Sequence, residues 1–313
     1  MLALPSYGMA RSVTTHNVNV DSLCDWIEAS IVFDRDLLSK ADVVEALLEH
    51  EVYARPDFAV EIVDQAWAVV SGRIKYLSDP LGLKVSTNRI TRVKEWDTFP
   101  AYGFCLALAC SALFPRWARE QWAMPPSVHG ELFEEVARES FTCALAGWTV
   151  RRVGWSPSNP PKLRTTIAEI ISDLNEVAGS ELELHVDPRA NELGLDLLAY
   201  FSYGDSHASF PVLLVQCASG NNWLSKRQTP DIELWKTIVS FNSQPVRAFA
   251  MPFTFADASE FRRHSKSVNG VFVDRNRLLA AFARSSRNVS ESLNLRLVEW
   301  TRPVVASMPR DNQ

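Results

Sequence analysis

Two apolar runs separated by a polar turn constrain this chain more than any other feature. Gly194-Leu195-Asp196-Leu197-Leu198-Ala199-Tyr200 is followed by Pro211-Val212-Leu213-Leu214-Val215-Gln216-Cys217-Ala218-Ser219-Gly220. Runs this short, apolar at nearly every position and bounded by Gly and Pro, read as strands buried on both faces, so a sheet with cover above and below is expected. An acid opens the first strand and a carboxamide closes the second, twenty positions later. A hairpin brings Asp196 and Gln216 together at one end of the sheet, and two oxygen ligands so placed can hold a hard divalent cation such as Mg²⁺.

The flanking segments extend this core. From His129 to Phe141 the apolar residues Phe133, Val136, Ala137 and Phe141 recur at helical spacing, forming one buried stripe. Gly147 ends the helix, and Trp148-Thr149-Val150-Arg151-Arg152-Val153 reads as a strand. Beyond Gln216, Thr229-Pro230-Asp231 signals a helix start, the helix runs through Trp235 and Ile238, and Val246 to Pro252 reads as a further strand. The order helix, strand, helix, strand, strand, helix, strand suits an α/β sandwich around a small mixed sheet.

On these residues, roughly 127 to 280, the chain resembles the PD-(D/E)XK nuclease superfamily and in particular its Mrr-like restriction endonuclease branch. That family's motif reads Gly-x-Asp, then a strand ending Gln-x-Lys, with a further acid on the preceding helix. The resemblance implies a restriction-endonuclease-like core, a mixed central sheet flanked by helices, beside a mainly helical N-terminal domain. It implies that Glu134 (with Glu135 less favoured), Asp196 and Gln216 hold Mg²⁺ or Mn²⁺. The motif lysine is missing, because Ala218 stands two residues after Gln216. Lys226 is the first substitute and Lys236 the second. The activity implied is hydrolysis of phosphodiester bonds in nucleic acid, with DNA favoured and a role in bacterial restriction or anti-phage defence. The alternative is a catalytically silent member of the fold that binds nucleic acid or protein as a scaffold. Asp196→Ala is expected to abolish cleavage while leaving the fold intact.

Charge is unevenly spread. The net charge is -5, yet from Met251 to Gln313 ten Lys or Arg face six Asp or Glu. Arg262, Arg263 and Lys266 are the candidate phosphate contacts there, against the plain reading of a solvated helical surface. The polar tract Ser219-Gly220-Asn221-Asn222-Trp223 reads equally as a phosphate groove or an ordinary loop. Cys24, Cys105, Cys110, Cys143 and Cys217 form no Cys-x-x-Cys pair and read as buried thiols of a reducing compartment. A thiol hydrolase pairing Cys217 with His207 or His264 is the weaker chemistry, since nothing sets a histidine beside that thiol. No apolar run approaches the ~20 residues a bilayer span needs. The start lacks the layout of a signal peptide, so a cytoplasmic protein without membrane contact is expected.

At 313 residues two domains are expected, 1–125 and 126–313, the latter carrying the basic C-terminal segment. Trp117, Trp122 and Pro125-Pro126 mark the boundary. Asp21 to Ile31, Lys40 to His50 and Pro56 to Ile74 carry helical periodicity, and Lys84 to Val93 reads as a short strand pair. Such a run reads either as a winged-helix-like DNA-binding unit, which Mrr-like enzymes carry at this end, or as a unit that docks a partner protein. The acids Glu45, Glu49, Glu51, Asp57, Glu61 and Asp64 favour docking of a protein partner, or a second copy, over DNA. Phe99 to Phe114 is expected as a buried helix packing the two halves together.

Overall fold

Polar caps start the first helices. Asn19 accepts the Ser22 N–H at 2.9 Å at the head of α1 (Val20–Phe33). Ser39 and Asp42 cap one another at the head of α2 (Lys40–Glu49), with β1 (Leu37–Ser39) just before it. The structure is a computed structural model describing residues 1–5, 7–9, 18–77, 79–121, 126–153, 163–185, 193–285 and 287–311. Trp122 and Pro125, expected as boundary markers, lie outside the described residues. The chain divides into two units, and each is a body with its own core.

The first unit continues with α3 (Pro56–Leu77), β2 (Leu83–Val85), β3 (Arg89–Arg92), α4 (Pro100–Leu113) and α5 (Pro115–Gln121). Its three strands form an antiparallel sheet in the order β1-β3-β2. Nearly every residue of α4 is buried, as expected of a helix apolar all round. It packs against α1 and against the C-terminal helix of the chain, within this unit, and so corrects its expected place between the halves. An ion pair lies at the centre: Arg73 of α3 meets Glu28 at 2.7 Å and Asp25 at 3.3 Å on α1, and Tyr102 donates to Glu28 at 2.8 Å.

The second unit holds α6 (Pro126–Ala144), β4 (Thr149–Arg152), α7 (Leu163–Leu174), β5 (Val177–Ala178), α8 (Leu182–His185), β6 (Leu197–Tyr200), β7 (Val212–Cys217), α9 (Ile232–Ile238), β8 (Val239–Ser240) and β9 (Val246–Ala250). It ends with α10 (Ala258–Val268), β10 (Val271–Val273) and α11 (Arg275–Ser285). Five strands form one mixed sheet, β10-β9-β7-β6-β4, antiparallel from β4 through β7 and parallel from β7 through β10. All six residues of β7 are buried, as the unbroken apolar run requires. On one face Leu198, Leu214, Val212 and Val153 pack with Ile167 and Ile170 of α7 and Trp235 and Ile238 of α9. Helix α6 packs on β4, β6 and β7 and against α11. The short ribbon β5–β8 and the strand β10 carry too little pattern to be read from sequence.

One boundary differs from expectation. Residues 252–258 and 286–313, the latter containing α12 (Glu291–Ala306), belong to the first unit, so the second ends at Ser285. The reason is chemical: α12 offers Leu293, Leu297, Trp300 and Val304 as a buried stripe, and Trp300 meets Phe104 of α4 edge-on at 5.0 Å. Among the described residues no helix is long and apolar enough to cross a membrane.

Candidate functional site

Register puts the two predicted strand residues side by side. Leu197 pairs with Val215, and the Asp196 N–H donates to the Val215 carbonyl at 2.9 Å, so Asp196 faces Gln216 across the end of the hairpin. Gly194 enters the strand at a φ of +72°, and a Cβ there would stand 2.9 Å from Thr229 Cβ and 3.3 Å from Gln216 Oε1. Only glycine suits that backbone and that gap.

Asp196 and Gln216 are 3% and 5% exposed, and both are hydrogen-bonded. Asp196 Oδ2 accepts the Cys217 N–H at 2.6 Å and also Gln216 Nε2. Gln216 Nε2 donates as well to the Cys217 carbonyl at 3.1 Å, while its Oε1 accepts the Thr229 hydroxyl at 3.0 Å. Thr229 is a part of the site that sequence reasoning missed. Its N–H donates to the Lys226 carbonyl at 3.0 Å and its hydroxyl lies 2.6 Å from the same oxygen. A threonine after a loop gives no signal of such a role. Through it, the turn carrying Lys226 is tied to the Gln216 carboxamide.

Glu134 is engaged by a residue that sequence reasoning also missed. Arg152 donates to Glu134 Oε2 at 2.6 Å and lies 3.5 Å from Glu131 and from Glu135. The signal for it was present in the pair Arg151-Arg152, because successive strand residues point to opposite faces. Arg151 meets Glu169 at 2.7 Å and Asp173 at 2.9 Å on α7, and Arg152 meets α6. Glu135 is shared with Arg138 at 2.8 Å.

The Cys217 thiol marks where these charges overlap. Burial pushes it well above the usual thiol range, Asp196 and Glu134 add to that, and Arg152 and Lys226 oppose it. A thiol held protonated in this way is no nucleophile. His207 sits in an exposed loop beside Asp205, and His264 Nδ1 meets Arg227 at 2.9 Å. His264, kept neutral chiefly by burial and then by Arg227, also packs edge-on to Trp223 at 5.0 Å. The tract 219–223 thus runs into a short 3₁₀ turn, Trp223–Lys226, that leans on α10.

Of the proposed lysines, Lys226 lies on that turn, and Lys236 is bound to Glu233 at 2.9 Å on the outside of α9. Ala218, in the motif lysine's position, is 1% exposed. Arg262, Arg263 and Lys266 are exposed along α10, with Arg263 paired to Glu260 at 2.9 Å.

Among the described residues no three His, Cys, Asp or Glu side chains are grouped closely enough to hold a metal ion. The donors that could serve are Asp196, Gln216 and Glu134, two carboxylates and a carboxamide, whose oxygens match a hard cation in kind. Gln216 now offers its nitrogen to Asp196, so it serves as a ligand only with the carboxamide turned over, and Glu134 serves only on leaving Arg152. No protein-family model, no curated protein and no solved structure matches this chain.

Proposed function

We propose that the second unit is a metal-dependent nuclease domain of PD-(D/E)XK type that hydrolyses phosphodiester bonds in nucleic acid, with DNA the favoured substrate. The observation that carries this reading is the buried contact of Asp196 with Gln216 at one end of a mixed sheet, joined through Thr229 to the turn bearing Lys226. It is supported by the strand directions, an antiparallel β4–β6–β7 followed by parallel β9 with α6 before and α9 between, which suit a restriction-endonuclease-like core. Asp196, Gln216 and Glu134 would hold Mg²⁺ or Mn²⁺. When bound, such an ion supplies Lewis acidity, lowering the pKa of water and drawing charge from phosphate oxygens. Lys226 brings an ammonium to the scissile phosphate from outside the strand, a charge that Ala218 cannot supply. Arg262, Arg263 and Lys266 hold the flanking backbone by charge. The same resemblance extends to restriction or anti-phage defence, with the first unit docking a protein partner: its helix-strand-helix-helix-strand-strand order is winged-helix-like, but α3 turns Asp57, Glu61 and Asp64 outward.

The second reading, a silent nuclease-fold scaffold, is favoured by one observation. Gln216 presents Nε2 to Asp196, so the pair is satisfied without a cation. Supercoiled plasmid and single strands incubated with the full chain in Mg²⁺ or Mn²⁺, wild type against Asp196→Asn, separate the two. Cleavage lost in Asp196→Asn supports the nuclease; cutting that survives removes it, and a wild type that neither cuts nor binds Mn²⁺ leaves the scaffold.

A further inference from the structure

We infer that Arg152 competes with a divalent cation for Glu134 and thereby sets the metal affinity of the site, an inference that rests on the nuclease reading above. The guanidinium is only 17% exposed and its closest contact is Glu134 Oε2 at 2.6 Å, with Glu131 and Glu135 each at 3.5 Å. A hydrogen-bonded ion pair of this length, largely removed from water, is among the stronger pairings a carboxylate makes. A carboxylate so held has its charge neutralised by the protein.

Position makes this pairing relevant to the ion. Arg152 ends β4 opposite Leu197, and the next residue, Val153, donates its N–H to the Asp196 carbonyl at 2.8 Å. Helix α6, which bears Glu134, packs on β4 and on β7, the strand that carries Gln216, so Arg152 and the proposed ligands lie on neighbouring strands and the helix over them. A resident cation repels an arriving one and holds one of its ligands. Removing it leaves Glu131, Glu134 and Glu135 with less compensation and increases the pull on a divalent ion. A purely structural Arg152, fastening α6 to β4, predicts the reverse: its loss would loosen Glu134 and weaken any ion site.

The test is Mn²⁺ binding to the full chain, by calorimetry and by the electron paramagnetic signal of free Mn²⁺, which needs no turnover. Arg152→Gln should bind Mn²⁺ on the order of tenfold more tightly than wild type. Arg152→Lys, a point charge without the planar fork, should fall between. The gain should vanish when Glu134→Gln is also present, which identifies Glu134 as the route. Circular dichroism of each variant checks folding, and should Arg152→Gln not fold, Arg152→Lys carries the comparison. If wild type binds Mn²⁺ and the folded Arg152 variants bind equally or more weakly, this inference is overturned and the nuclease reading stands. If neither wild type nor any variant binds Mn²⁺, both fall together.

Discussion

Replacing Asp196 by alanine should destabilise the second unit, and by an amount set by hydrogen bonds. The substitution removes the acceptor of the Cys217 N–H and of Gln216 Nε2, both buried at the end of β7. A buried donor left without a partner costs about 1–3 kcal/mol, so two cost about 2–6. Relief of the desolvation of a buried carboxylate offsets part of this, and Gln216 Nε2 keeps its bond to the Cys217 carbonyl. A net loss of about 3 kcal/mol remains, which at a urea slope near ~2 kcal/mol per molar lowers the midpoint by about 1.5 M. Asp196→Asn should behave differently. Both donors converge on the single atom Oδ2, so one amide oxygen in its place can accept both, and the loss should stay below about 1 kcal/mol. Urea unfolding of the three proteins in a chelator, followed by circular dichroism and by exchange of the Cys217 amide, measures the difference. An Asp196→Ala protein as stable as wild type would refute the argument and restore the expectation drawn from sequence alone, that this substitution leaves the fold intact.

Lys226→Ala should lower cleavage by on the order of 10²-fold or more, Lys226→Arg should recover part, and Lys236→Ala should cut normally because its ammonium is bound to Glu233; a dead Lys236→Ala would move the role to α9. Replacing Arg262, Arg263 and Lys266 together by alanine should reduce the slope of log affinity for DNA against log salt by up to ~3, read by fluorescence anisotropy. An unchanged slope would mean that α10 is an ordinary solvated surface. His129, buried on α6, is pushed by burial from 6.5 to about 4. A folded pKa below the unfolded one means that its contribution is full above pH 6.5 and drains as pH falls toward 4, on the order of 3 kcal/mol in all. His129→Gln should flatten the stability profile across that window, and an unaltered profile would assign the loss to other groups.

What the sequence made legible was local. Burial on both faces of β7 follows from an unbroken apolar run, and the Asp196–Gln216 contact follows from two strands joined by a turn, since register in a hairpin leaves little freedom. The orientation of the carboxamide did not follow. It depends on Thr229, which reaches Gln216 only because the chain turns back through the Trp223–Lys226 segment. The pairing of Arg152 was half legible: alternation separates it from Arg151, but the identity of the helix over each face depends on how α6 and α7 pack. The return of 286–313 to the first unit was hidden for a similar reason, since an amphipathic stripe such as that of α12 shows that a helix is buried without naming the surface that buries it.

Were the proposed nuclease reading right, a lysine on the turn in place of one on the strand would have a physical logic. Ala218 continues the sheet, its N–H bonded to the Ala250 carbonyl at 2.9 Å, and it is closed off from water. A lysine there would hold its ammonium in a buried site, at a cost recovered only against the Asp196 carboxylate. That carboxylate already carries the Cys217 N–H and the Gln216 amide. On the proposed reading Lys226 would avoid the conflict by approaching from the partly exposed turn, which is anchored by Thr229 on Gln216 and by Trp223 and Arg227 against His264 of α10. The same contacts set the turn beside the helix that bears Arg262, Arg263 and Lys266. On the nuclease reading proposed above, a phosphate drawn to that helix would lie beside the turn that bears Lys226, so the alanine at 218 and the exposed cations of α10 would belong to one arrangement.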